Sequence, residues 1–270
     1  MIVTSDDVGL STSVNDAVER AHREGILTAA SLMVAAPGTD DAIARARAMP
    51  SLAVGLHVVL VNGRPKLPVS EVPDLVDANG DFPTDLLAAG VRYFFNPRAR
   101  RQLQAEIRAQ FESFAKTGLP LDHVNAQNHM HVHPTVLAMI LRVGRNFGMR
   151  AVRIPREPFL PSWRSAHQNL GLRLGNSTLL APWLSLMQLQ IERAGMFHND
   201  AVLGLSDTGR MTPERVLRLL EQLPQGVTEM YFHPDTGSEE LAALCDPGVI
   251  RVVRSGDIVS TTFAQLAHAA

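Results

Sequence analysis

The chain has 270 residues, with 25 Lys and Arg against 27 Asp and Glu and a formal net charge of −2. With 46% hydrophobic and 19% charged residues it can bury the core of one large α/β domain or two small ones, and no basic excess points to nucleic acid. The single cysteine, Cys245, excludes a disulfide framework and a thiolate zinc cluster, so a reducing, cytoplasmic setting is the expectation.

Met1-Ile2-Val3-Thr4 opens directly into apolar sequence without the basic stretch of a signal peptide, and no apolar run is long enough to span a bilayer. Strand and helix patterns then alternate. Ile2–Ser5 reads as a short buried strand. A helix follows over residues 14–24, capped by Ser13 with Asp16 three residues on, and Gly25 stops it. Thr28–Ala35 is a second strand, Asp40–Ala48 a second helix, and Leu52–Leu60 a third strand with His57 near its end. Residues 61–97 break the rhythm with Pro65, Pro68, Pro73, Pro83 and Pro97, as in a long excursion over one face. Helix resumes over Arg98–Lys116 on the stripe Leu103, Ile107, Phe111, Phe114. Leu121–Asn125 is a strand, Thr135–Phe147 a helix and Ala151–Ile154 a strand. Residues 157–199 are irregular again. Their apolar centre, Leu179–Ile191, reads as a core helix or as a cover that meets an apolar substrate or a membrane surface. Thr212 caps a helix with Pro213 at its first position, and Thr228–Phe232 is the last strand. No linker or internal repeat divides residues 1–270, which read as one domain. Repeated β-α units predict mostly parallel strands with outer helices, a TIM-barrel-like (β/α) barrel of irregular form, with a doubly wound sheet as the alternative.

Every chemically distinctive side chain falls at the carboxyl end of such a strand. Asp6 and Asp7 follow the first. Two consecutive carboxylates cannot both enter an apolar core, although a turn or cap pair before Gly9 would also use them. His57 sits in an apolar run, where a histidine is either a satisfied core residue or a metal ligand. His129, His131 and His133 lie within five residues. On an extended chain they project from one face, and their spacing differs from the helical two-histidine zincin motif. His233 ends the last strand, and Arg153, Arg156 and Glu157 follow another. Carboxylates and imidazoles converging from several strands suit metal-assisted hydrolysis.

Taken in order, Thr4-Ser5-Asp6-Asp7-Val8-Gly9-Leu10-Ser11, Val14-Asn15, Ile26-Leu27-Thr28, Ser31-Leu32-Met33-Val34, Gly55-Leu56-His57, the histidine run and Phe232-His233-Pro234 resemble the YdjC-like carbohydrate deacetylase family along almost the whole chain. Asn125-Ala126, Asn199-Asp200 and the stretch from Leu52 to Pro65 resemble more narrowly its hopanoid-biosynthesis-associated subgroup. The resemblance implies a (β/α)-barrel-like metalloenzyme that removes the acetyl group from an N-acetylated amino sugar. Its subgroup implies the headgroup of a glycosylated hopanoid lipid as substrate. Asp6 would be the general base and Asp7 and His57 metal ligands; in the mechanism expected from these residues, His233 or a member of the histidine run protonates the leaving amine. Asn125, His131 and Arg153 would meet the substrate.

The family's third ligand is a histidine at the position held here by Gln127, and a phenylalanine usually stands where this chain has Val8. An amide oxygen is a weaker donor than imidazole. Three outcomes stay open: Gln127 coordinates through oxygen, His129 replaces it, or the site holds metal weakly or not at all. His129 is the favoured ligand. The ion expected is Zn²⁺ or Mg²⁺, with Ni²⁺ or Co²⁺ as alternatives. A metal-dependent esterase and a non-catalytic sugar- or lipid-binding homologue remain the competing readings. The same reading leaves open a homodimer and a peripheral contact with the cytoplasmic face of a membrane.

Overall fold

Near-continuous runs such as Ile2-Val3-Thr4-Ser5 and Thr228-Glu229-Met230-Tyr231-Phe232 leave strands no solvent face, the mark of a parallel sheet covered on both sides. The computed structural model describes residues 1–269, the side chains of Leu172 and Asn176 excepted. Its strands are β1 (Ile2–Val8), β2 (Ala29–Leu32), β3 (Ala53–Val58), β4 (Leu121–Ala126), β5 (Ala201–Leu203) and β6 (Thr228–Phe232). They form one parallel sheet in the order β4-β3-β2-β1-β6-β5, and helices fill most of the connections. A continuous buried cluster runs from Val3 to Val253.

The two edges of this curled sheet meet through residues 151–156. Val124 N–H donates to Ala151 O (3.0 Å), Arg153 N–H to Val124 O (3.1 Å), Val152 N–H to Phe197 O (3.0 Å) and Val202 N–H to Arg156 O (2.8 Å). The expected strand Ala151–Ile154 is reduced to isolated bridges at residues 151 and 152. The reason is a side chain. Asn199 accepts from Ile154 N–H (2.8 Å) and donates to Ile154 O (2.9 Å), so an amide replaces the ladder at the seam. The result is the barrel-like ring expected from the β-α alternation.

Several local expectations change. Ser11, not Ser13, caps helix Thr12–Glu24, because its Oγ accepts from Val14 N–H, while the Ser13 hydroxyl bonds the Asp235 carboxylate. The excursion 61–97 contains a helix, Leu86–Phe95, capped by Asp85 and stopped before Pro97. That helix is apolar on nearly every side, so it lacks the periodic signature of an amphipathic one. The excursion is tied down from helix Pro97–Lys116: Glu106 accepts from Lys66 and Leu67 N–H, and Gln110 bonds both backbone groups of Val59. The 157–199 stretch holds helices Phe159–Ala166, Leu170–Leu179 and Ala181–Arg193. In the last of these Leu184, Met187 and Ile191 are buried while Trp183, Leu186 and Leu189 are exposed, so it is part core helix and part cover.

One glycine controls the spacing of the strands that carry the site. A Cβ at Gly55 in β3 would sit 2.6 Å from the His123 carbonyl oxygen and 2.5 Å from its ring. Gly55→Ala therefore has to part β3 from β4, and overpacking of this kind costs about 1–3 kcal/mol. Urea denaturation is expected to show a loss in that range, with weakened alignment of His57 against Asn125, its register partner.

Candidate active site

The carboxyl ends of β1, β3, β4 and β6 meet in one pocket. In a regular strand Asp6 and Asp7 would point to opposite faces. The register of β1 against β2 shifts between Ser5 and Val8, and Asp7 has φ 60° in the left-handed region. This bulge turns both carboxylates toward the same site.

Asp6 is buried, with both oxygens engaged. Arg153 Nη1 donates to Oδ2 (2.5 Å), Arg153 Nη2 to Oδ1 (2.9 Å), and Asn125 Nδ2 to Oδ1 (2.9 Å). The other edge of the same guanidinium donates to Glu229, from Nε (2.9 Å) and Nη2 (2.6 Å). Burial alone would raise the Asp6 carboxyl. The charge and hydrogen bonds of Arg153, with His57 and His233, instead hold it well below the usual carboxylate range. Burial likewise works against the Arg153 cation, and Asp6 and Glu229 overcome it and raise its pKa.

Hydrogen-bond logic then propagates outward. An ionised carboxylate only accepts, so the Asn125 amide must turn its NH₂ toward Asp6 and Ser31 Oγ (3.0 Å). Its carbonyl therefore faces His57 and takes the Nδ1–H at 2.7 Å. In the neutral ring this leaves the lone pair on Nε2, aimed at Asp7 Oδ1 3.1 Å away. Two lone pairs face each other there unless a proton or a cation lies between them. Burial lowers the His57 pKa, but Asp6, Asp7 and Asn125 together raise it. Asp7 is pulled down in turn, since the hydrogen bond and charge of His57, with His233, outweigh its burial. His233 completes this side, with Nε2 3.9 Å from Asp7 Oδ2.

The histidine run departs from the extended reading. Residues Gln127–Val132 form a 3-10 turn in which Asn128 and His129 take positive φ, so the three rings diverge. His129 lies against Tyr231 and lines an adjoining cavity of about 570 Å³. Burial, then the charge of Arg153, lowers its pKa to about 3, so it stays neutral. His131 is fully buried and hydrogen-bonds the Arg153 carbonyl through Nε2 (3.0 Å). His133 faces outward against Phe94. Asn125, His131 and Arg153, expected to meet substrate, are each 0% exposed. They lie behind the surface: protein partners take up the polar atoms of Asn125 and Arg153 and the Nε2 of His131, while His131 Nδ1 has no partner. Glu229, the second partner of Arg153, was missed; a lone acid inside the apolar strand Thr228–Phe232 was its signal, since such a charge needs a cation.

The donor chemistry fits a divalent ion in part. Ligands bound to one ion at roughly 2.0–2.2 Å lie about 3 Å from each other, which is the Asp7–His57 separation. Asp7 Oδ1, Gln127 Oε1 and His129 Nδ1 are buried atoms without a hydrogen-bond partner. Among the described residues no three His, Cys, Asp or Glu side chains converge in ion-holding geometry, so the set as it stands is Asp7 with His57, and Gln127 offers a neutral oxygen.

The family model described as YdjC-like protein matches residues 1–255. The chain belongs to the YdjC-like family. A carbohydrate deacetylase of Brevibacillus brevis is 36% identical over 163 residues, covering 59% of this chain and 60% of that protein. One from Geobacillus stearothermophilus is 35% identical over 164 residues, covering 60% and 63%. The alignments thus span less than two-thirds of these relatives. A crystal structure from Enterococcus faecalis V583, described as that of a cellobiose-phosphate cleavage protein, superposes with a TM-score of 0.74 at 22% identity, covering 98% of this chain and 97% of that one. It shows that the YdjC-like chain shares its fold.

Removing Arg153 leaves Asp6 and Glu229 buried and unpaired. Arg153→Met is expected to destabilise by about 3–5 kcal/mol in urea denaturation. Because the Asp6 pKa is depressed on folding, its contribution is present above the ordinary carboxylate value of about 3.9 and is lost as pH falls through the lower folded value. In the variant, burial without Arg153 raises the carboxyls instead, so the stability gap should be widest near neutral pH, begin to narrow above about pH 4 as they take up protons, and narrow further as the wild-type Asp6 protonates.

Proposed function

We propose that this chain is a metal-dependent N-deacetylase that removes acetyl from an N-acetylated amino sugar, carried as the headgroup of a glycosylated hopanoid-type lipid. The observation that carries the reading is the pairing of His57 Nε2 with Asp7 Oδ1, an imidazole nitrogen and a carboxylate oxygen held 3.1 Å apart by a buried network. Membership of the YdjC-like family and the relatives named carbohydrate deacetylase supply the reaction class.

Asp7 and His57 would hold the ion, with Gln127 or His129 as the third donor. A divalent ion in such a site polarises a carbonyl and lowers the pKa of a water molecule toward neutrality. Asp6 is ionised at any working pH, and its Oδ2 takes a single hydrogen bond, from Arg153, which leaves a lone pair to accept the proton of the attacking water. Arg153 and Glu229 hold that carboxylate in place. His233, half-buried beside Asp7, is positioned to give a proton to the departing amine. Val132, Leu180 and Leu184 of the adjoining cavity would receive an apolar aglycone.

Asp6→Asn should lower turnover, read as acetate release from N-acetylglucosaminyl substrates, by at least ~10²–10⁴-fold while metal content is unchanged. Retained activity removes Asp6 as the base. Acetate release confined to paired O-acetyl substrates would instead make the protein an esterase. Gln127→His should tighten zinc binding in a chelator competition, and an unchanged affinity places residue 127 outside the ligand set. A metal-free, inactive wild type would favour the non-catalytic binding homologue, which Gln127 keeps in view. Lipid-linked acetamido sugars should be turned over faster than soluble chitooligosaccharides; the opposite ranking argues against the lipid headgroup.

A further inference from the structure

Two helices with exposed apolar side chains pack beside the histidine turn. Helix Leu86–Phe95 buries Ala89, Gly90 and Tyr93, and exposes Leu87 (79%), Val91, Phe94 and Phe95 (74%) at helical spacing on its outer side. Helix Ala181–Arg193 exposes Trp183 and Leu186, and Leu179, the last residue of the preceding helix, is 82% exposed. Both helices abut adjacent residues of the histidine turn: Phe94 packs on the His133 ring, and Trp183 Nε1 donates to Val132 O at 2.6 Å. The two helices therefore meet neighbouring residues, Val132 and His133, and Val132 lines the adjoining cavity.

Arginines gather beside them, with Asp85 at the start of the first helix and Glu192 at the end of the second as acids on the same elements. Arg92, Arg98, Arg100, Arg101, Arg142 and Arg193 are exposed, and none of them pairs with a carboxylate among the described residues. Arg100, Arg101 and Arg142 line one shallow groove, Arg142 and Arg193 the next, and neither groove contains an acid. In a chain of net charge −2 such a collection is local. A matching surface has to be apolar in its interior and anionic at its boundary. A symmetric contact with a second copy through these grooves would set arginine against arginine.

We infer that this face docks on an anionic lipid leaflet, with Leu87, Phe94, Phe95, Leu179, Trp183 and Leu186 entering the headgroup–acyl boundary and the arginines meeting lipid phosphates. The cavity lined by Val132, Leu180 and Leu184 then lies beside the membrane. The surface stands on these placements alone, so its test is independent of turnover.

The full chain would be floated with vesicles of phosphatidylcholine, with and without phosphatidylglycerol. Co-flotation is expected only with the anionic vesicles, and it should fall as salt rises. Leu87→Ser with Phe95→Ser should weaken partition by roughly tenfold or more. Arg100→Ala with Arg101→Ala should weaken it by roughly fivefold per arginine. Both pairs are exposed, and circular dichroism melting is expected to be unchanged. In a Trp163→Phe background, which leaves Trp183 as the sole tryptophan, brominated acyl chains should quench its fluorescence. Absence of flotation with anionic vesicles at low salt overturns the proposal, as does flotation that neither pair weakens. Binding to nucleic acid but not to vesicles, or a dimer that Leu87→Ser with Phe95→Ser converts to monomer, would reassign the face to another partner and overturns it equally.

Discussion

A single buried guanidinium orders this molecule. Arg153 is wholly excluded from solvent, and a charge in that position costs several kcal/mol unless it is paired. Asp6 on one edge and Glu229 on the other provide the pairing, from β1 and β6. The same residue works at the backbone level. Its N–H bonds β4 and its carbonyl bonds His131, so the segment that closes the ring is also the one that anchors the histidine turn. Seam and site cannot form separately.

From that ion pair the polarity of every neighbouring group follows. A carboxylate that only accepts forces the Asn125 amide to one orientation, which forces the His57 ring to present Nε2 to Asp7. Four residues on three strands and the seam therefore share one hydrogen-bond direction, which ends at the His57–Asp7 pair. Local backbone strain serves the same end. Asp7, Asn128 and His129 all occupy the left-handed region, which costs non-glycine residues of order 1–3 kcal/mol each. These residues cluster at the pocket, where the surrounding packing fixes them.

The two irregular excursions do different work on their two sides. Inward, Tyr93 donates to Leu60 O and Leu184, Met187 and Ile191 enter the core, so each is anchored. Outward, both carry large apolar side chains, among them Leu87, Phe95 and Trp183. A helix that is apolar on nearly every side belongs in a core or against something other than water.

Alternating apolar runs, caps and turn residues were enough to read the β-α alternation, because backbone preference and burial act over a few residues. Asp6, Asp7, His57 and His233 were legible for the same reason: polar groups at the ends of buried strands have few alternatives to a shared pocket. The histidine run misled because period-two projection assumes an extended chain, and two consecutive left-handed residues cancel it. Glu229 stood in plain view as an acid inside an apolar strand, but its partner lies 76 residues away. The sequence by itself therefore determined which groups had to be gathered. Only the tertiary structure decided which of them face the pocket and which stand behind it, since that depends on which charge a buried guanidinium meets and on where the ring closes.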